Sequence, residues 1–280
     1  MKLDGERESD QVEDRRGLGA TGSIGIGTVV IALIAWYFGI DPQTILDVAQ
    51  VAAPQESRQP ASQAAPRDEM TIFVSKVLAS TEDTWEGIFR EGGTGYRRPR
   101  LVLFSGSTPS ACGTGRAATG PFYCPGDEKL YIDLSFYRDL RDRFRAPGDF
   151  AQAYVIAHEV GHHVQKLLGI SAKVDAMRGR VSEAQFNRMS VRTELQADCF
   201  AGVWASRAQR DRGLLEPGDL EEGLGAAAAI GDDRLQRHSG GAVVPDSFTH
   251  GSSAQRVRWF RAGFESGLVK ACDTFAARDL

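Results

Sequence analysis

The sequence predicts an α+β fold in which helix dominates and the sheet is small. Two observations carry this. Six segments of the chain read as helices from their apolar spacing and their start and stop signals. Only two segments, 100–104 and 129–134, read as strands.

The elements follow in chain order. Residues 1–16, MKLDGERESDQVEDRR, are mostly charged or polar and show almost no apolar pattern. Ser23–Ile40 carries no charge over about eighteen residues, just enough to cross a ~30 Å hydrocarbon layer. Trp36 and Tyr37 sit near its end, where interfacial aromatics are expected. Lys2, Arg7, Arg15 and Arg16 precede it, and no basic residue follows until Arg58. The positive-inside rule therefore puts the N-terminus in the cytoplasm and the rest outside. A cleaved signal peptide and a buried core helix are the alternatives. The long head and Asp41-Pro42 argue against the first, and marginal length favours the second. The expected organisation is a cytoplasmic charged head at 1–22, a transmembrane anchor at 23–40 and a flexible linker at 41–69. The linker is rich in Ala, Gln, Pro and Ser from residue 50 onwards. The folded body is expected at 70–280, on the extracytoplasmic (periplasmic or cell-envelope) side of a single-pass membrane protein.

Within the body, Ile72, Val74, Val77, Leu78, Trp85 and Phe89 give a helix over 71–90. Strands at 100–104 and 129–134 (KLYIDL) flank a Gly-rich loop holding Cys112 and Cys124. KLYIDL is a candidate edge strand for pairing with an extended peptide, and an interior strand would read the same. A short helix covers 135–144. Asp149 is placed to cap a long helix through Leu168, with Gly169 as its stop. Ser182 with Gln185 is a capping-box signature opening a helix to about Gln209. Helices over 220–237 and 253–265 complete the chain.

Composition excludes several classes. Of 280 residues, 42% are hydrophobic and 25% charged, values of a globular chain. A net charge of −4 argues against a nucleic-acid surface. The mean hydropathy of −0.28 excludes a polytopic membrane protein.

The chemistry lies in 158-HEVGH-162, inside the long helix. A spacing of four puts His158 and His162 on one face, a turn apart, where both imidazoles reach one Zn²⁺. Glu159 then stands beside the open coordination position and takes a proton from water that the metal acidifies. The apolar flanks AYVIA, Val160, Val164, Leu167 and Leu168 argue against two solvated surface histidines. A third ligand is needed, and 194-ELQADCFAGVW-204 offers Glu194 and Asp198, again four apart. One ligates, and the other accepts the outer N–H of a ligand histidine. Spacing alone leaves the order open, as it leaves open simple salt bridges to Arg188 or Arg192.

The strings H-E-V-G-H-H-V-Q and E-L-Q-A-D-C-F-A-G-V-W resemble the bacterial family of putative neutral zinc metallopeptidases. The resemblance spans nearly the whole chain, with 7-RESDQVEDRRG-17, 120-GPFYCP-125, 131-YIDLSFY-137, 149-DFAQAYVIAHEVGHHVQKLLG-169 and 245-PDSFTHGSSAQR-256. It implies a membrane-anchored zinc peptidase. H-E-x-x-H with a downstream E-x-x-x-D is also similar to gluzincins. That likeness implies a zincin-like, minimal gluzincin-like domain, with Glu194 as third ligand and Asp198 behind His158 or His162. His163 lies about 100° round the helix from His162 and reads as a support behind the metal or as a hydrogen-bonded core histidine, rather than as a ligand. His250 is similar to the histidine of a Thr-His then Arg pattern in membrane-bound gluzincins. It is a candidate to steady the oxyanion, or else a surface loop histidine.

Four cysteines without a C-x-x-C pair argue against a zinc–cysteine site. In an oxidising compartment, Cys112–Cys124 and Cys199–Cys272 are the natural bridges; in the cytosol all four would be buried thiols. The functional expectation is a zinc peptidase with a peptide or protein substrate and no nucleic-acid partner. A catalytically silent zinc-stabilised envelope binder and a hydrolase of a non-peptide amide are the rivals.

Overall fold

A computed structural model of the chain describes residues 1–16, 68–238, 240 and 242–280. The expected anchor at 23–40 and most of the linker lie outside the described residues. Among the described residues, no helix is long and apolar enough to cross a membrane.

The fold is mixed α+β. Its four-stranded sheet has the order β1 (Val12–Asp14), β2 (Arg100–Phe104), β6 (Lys129–Asp133), β5 (Phe122–Cys124). β1 and β2 run parallel, as do β2 and β6, and β5 runs antiparallel to β6. β3 (Ser107–Ser110) and β4 (Gly113–Arg116) form a separate antiparallel hairpin. The helices are α1 (Glu69–Glu91), α2 (Ser135–Asp142), α3 (Asp149–Leu167), α4 (Ile170–Asp175), α5 (Glu183–Arg212), α6 (Asp219–Ala229), α7 (Asp232–His238) and α8 (Ser253–Ser266). Leu101, Leu103, Leu130 and Ile132 of the sheet share one core with α1, α3, α5 and α8.

Four corrections follow. Residues 1–16 are not a separate head across a membrane from the body. Val12–Asp14 pairs with Leu101–Leu103 in the sheet, and residues 1–16 form one compact unit with 68–280. Arg7 reaches Glu82 and Asp83 on α1, and Arg16 bonds Asp68, which caps α1. Both flanks of 17–67 therefore occupy one compartment, so a single crossing between them does not hold. The charges that looked like a solvated head are ion-paired: Arg7 and Arg16 with α1 and its cap, Glu13 with Lys129 on β6, and Glu6 with Arg212 on α5.

Second, KLYIDL is not an edge. β6 lies between β2 and β5, and the site-side edge is the three-residue β5. Third, Asp149 does not cap α3; the N-cap is Gly148, with φ 120°. Asp149 instead accepts from the Met1 ammonium at 2.6 Å. Fourth, the helix expected over 220–237 is two helices, broken at Ile230-Gly231. The capping box at Ser182 and Gln185 forms, and a second one, Ser252 with Gln255, opens α8.

Both expected disulfides are present. Cys199–Cys272 ties α5 to the C-terminal segment, with both cysteines fully buried. Cys112–Cys124 ties the β3–β4 turn to the end of β5, with Cys112 exposed.

Candidate metal centre

Helices α3 and α5 cross at a glycine. A Cβ on Gly161 would sit 2.9 Å from the Ala197 carbonyl oxygen, so the bare backbone lets the helices approach closely. This contact faces 158-HEVGH-162 towards the stretch carrying Glu194 and Asp198. The donor atoms of His158, His162 and Glu194 lie within 4.8 Å of one another. His158 Nε2 is 3.1 Å from Glu194 Oε2, and His162 Nε2 is 3.4 Å from Glu194 Oε1. Tetrahedral zinc with bonds of about 2.1 Å needs donors ~3.4 Å apart. Two imidazoles and a carboxylate at this separation fit zinc.

Behind these groups each imidazole has one partner. His158 Nδ1–H donates to Asp198 Oδ1 at 2.8 Å, and His162 Nδ1–H donates to Gln165 Oε1 at 2.9 Å. Both bonds leave Nε2 facing Glu194. Gln165 is itself held, donating to Thr193 O and Gln196 Oε1. Asp198 is fully buried and receives Arg256 on both oxygens, each at 2.8 Å, and the Tyr154 hydroxyl. Arg256 is 2% exposed and comes from α8. It is the salt partner of Asp198, which the sequence left unassigned. Arg192 bonds the Thr274 and Ala277 carbonyls instead.

The electrostatics follow from this enclosure. Burial opposes protonation of His158, but Asp198 and Glu194 outweigh it and raise its pKa to about 10 in the metal-free site. Burial pushes Glu194 up, and His162 and His158 hold it well below the usual carboxylate range. The same contest at Asp198 is decided by Arg256 and His158, which lower it. Fixed negative charge facing buried imidazoles is the setting a cation would relieve.

His163 belongs to neither the donor set nor its immediate support. Its Nε2–H donates to Arg97 O at 2.6 Å, and Nδ1 accepts from the Tyr123 hydroxyl at 3.0 Å. It fastens β5 to α3. His250 lines the same cavity as His158, Glu159, His162 and Glu194, a cleft of about 630 Å³. His250 Nδ1 lies 3.2 Å from Asp232 Oδ1, and the Asp232 hydrogen bond raises the imidazole's pKa. Asp232 also accepts from the backbone N–H groups of Thr249, His250 and Gly251.

Sequence reasoning missed Gln165, Asp232, Tyr154 and a role for Arg256. Gln165 had a signal: a polar residue three positions after His162, on the buried face. Asp232 had none, because its partner lies eighteen residues away across a loop.

A largely enclosed His₂Glu donor set with a glutamate lining the same cleft has the make-up of a zinc-hydrolase centre. The chain belongs to the family described as putative neutral zinc metallopeptidase, whose sequence profile matches residues 1–275. It is 50% identical to the uncharacterized protein YpfJ of Escherichia coli (strain K12), over 98% of this chain and 99% of that one. It is 41% identical to the uncharacterized protein Rv2575 of Mycobacterium tuberculosis (strain H37Rv), over 88% and 86%. No solved structure matches it.

Proposed function

We propose that the protein is a zinc-dependent peptidase with a zincin-like, minimal gluzincin-like catalytic domain. The observation that carries this is the trio His158, His162 and Glu194 at zinc-ligand separation, on a cleft that Glu159 also lines. These three residues would hold the metal. Bound zinc supplies a Lewis acid for the scissile carbonyl and lowers the pKa of water at the site. Glu159 takes the proton from the attacking water and delivers it to the leaving amine. His250, held by Asp232 through Nδ1, turns Nε2–H to the oxygen that gains negative charge. Asp198, braced by Arg256 and Tyr154, fixes the tautomer of His158, as Gln165 does for His162.

The substrate is an extended peptide or protein segment. β5 is a sheet edge, its residues Phe122 and Tyr123 line the cleft, and free backbone groups on an edge pair with an added strand. Two disulfides favour an oxidising, extracytoplasmic compartment. Residues 1–16 and 68–280 share it, so any association of 23–40 with a membrane starts and ends on one face.

The test is Glu159→Gln, which keeps side-chain size and cannot take a proton at neutral pH. Zinc content should be unchanged. Hydrolysis of a mixed peptide library should fall by about 10²–10⁴-fold, the usual range for general acid–base catalysis. Equal cleavage by both proteins at equal zinc loading would remove Glu159 from the mechanism. If neither protein cleaves, the peptidase reading fails.

A further inference from the structure

One end of the cleft combines large aromatic rings with very small residues. Phe136 on α2 and Phe144 just after it have ring centroids 6.3 Å apart, and both border the cavity. The other face of α2 is locked into the core through Tyr137 and Leu140. The two phenylalanines pack against the core yet are only half-buried, so part of their apolar surface stays uncovered.

The chain 117-AATGP-121 borders the same cavity. It passes over Phe136: a Cβ on Gly120 would lie 3.6 Å from the ring, and its φ of 82° disfavours any side chain there. Ala117 and Ala118 add one methyl each. Space is left beside the two rings, and the Arg143 guanidinium lies over Phe144, 5.4 Å from its ring centroid. Val155 extends the apolar floor, one turn before His158 on the same face of α3. The apolar end thus shares one cavity with the donor set.

We infer that Phe136, Phe144 and the small residues at 117–120 form a specificity subsite for one bulky apolar side chain of the peptide, aromatic or large aliphatic, next to the scissile bond. The inference rests on the peptidase reading and deepens it. Half-exposed apolar surface in a concave site is covered by a ligand of matching shape, and polar groups elsewhere in the cleft fix its orientation. A pocket of this kind discriminates by side-chain size. A Phe or Leu side chain differs from Ala by several heavy atoms, enough for tenfold or more in kcat/KM on the order expected per methylene.

The experiment uses the zinc-loaded full chain and a peptide library, with cleavage sites read by mass spectrometry. The wild type should show a single position beside the scissile bond where Phe, Tyr, Leu or Met is favoured by about tenfold or more over Ala, Asp or Lys. In Phe136→Ala/Phe144→Ala, that preference should fall to about twofold or less while zinc content stays at the wild-type level. Should the double variant fail to fold, Phe136→Leu and Phe144→Leu singly should each shift the ranking from aromatic towards aliphatic side chains. Cleavage by the wild type without an apolar preference would overturn the subsite alone, as would a preference that survives the double substitution. No cleavage of any peptide by zinc-loaded wild type would overturn the peptidase reading, and the subsite with it.

Discussion

The floor of the cleft and its sheet-side wall are held by different means. The floor is helices in backbone contact. Gly161 lets α3 meet α5, and Gly202 with Gly263 does the same for α5 and α8: a Cβ on Gly263 would fall 1.9 Å from the Cys199 carbonyl oxygen. The wall is a three-residue edge strand with the segment 117–121 before it, tied by a disulfide to the turn of a neighbouring hairpin, where Cys112 is exposed. A metal donor set tolerates position errors of only about 0.2 Å, whereas an edge strand offers backbone groups to whatever peptide arrives. The part that must be fixed is helical and buried. The part that must accommodate is shallow.

The hardest way to break the floor is to remove a donor. His158→Ala, His162→Ala or Glu194→Ala should take bound zinc from about one per chain to near none, measured on metal-loaded protein by mass spectrometry. Asp198→Asn should weaken zinc by only about 10–100-fold, because Asp198 acts through His158. Full zinc retention by the Glu194 variant with loss in the Asp198 variant would reverse the two roles.

Next in size is Arg256→Met. It leaves Asp198 buried beside His158 with its main counter-charge gone, a loss of about 3–5 kcal/mol in denaturant unfolding. Arg178, which also lines the cleft, is 70% exposed in its pair with Asp175. Arg178→Met should change stability by less than about 0.5 kcal/mol. Equal effects would mean that Arg256 is not carrying the Asp198 charge.

The two disulfides separate the regions again. Cys199–Cys272 closes 73 residues of chain and Cys112–Cys124 closes 12. Loop-closure entropy then assigns about 4.5 and about 3 kcal/mol respectively. Exposure orders the chemistry the same way: a dithiol should open Cys112–Cys124 first, with zinc content intact. Mass spectrometry of alkylated samples along a reductant titration checks the order. Prior opening of Cys199–Cys272 would contradict its burial.

The same contrast explains what was legible in the sequence. Helical periodicity is local, so His158, His162, Glu194 and the Ser182 capping box could be read from spacing four or three. The sheet is non-local. β5 is three residues long, and its edge position depends on β6 lying inside, which no pattern in KLYIDL reveals. β1 was hidden by its composition: among Glu13, Asp14, Arg15 and Arg16, only Val12 looks like a strand. Its partners are Lys129 on β6, which pairs with Glu13, and a parallel ladder to a strand nearly ninety residues away. Arg256 and Asp232 were hard to place because they act through residues 58 and 18 positions distant. Spacing leaves the order of Glu194 and Asp198 open, since both sit on one face of α5; the proposed order rests on Glu194 facing both imidazoles while Asp198 lies behind His158.

The smallest expected effect tests the contact on which the floor depends. In Gly161→Ala the new methyl would sit 2.9 Å from Ala197 O and 3.0 Å from its Cα, both backbone atoms that cannot swing aside. Overpacking of this kind costs about 1–3 kcal/mol. Alanine returns up to about 1 kcal/mol through its helix propensity, so the net loss should be about 0–2 kcal/mol. Gly87 on α1 is the control: nothing lies within 4 Å of its Cβ position. Gly87→Ala should therefore stabilise by up to about 1 kcal/mol. The two substitutions are chemically identical and should have opposite signs in urea unfolding. Zinc gives the sharper reading. If α3 and α5 are forced apart, the imidazoles retreat from Glu194, and zinc affinity should drop in Gly161→Ala but not in Gly87→Ala. A Gly161→Ala protein that is stabilised like the control and binds zinc as tightly as the wild type would show that the helix crossing has slack. The close approach of α3 to α5 would then not be what brings the donors together.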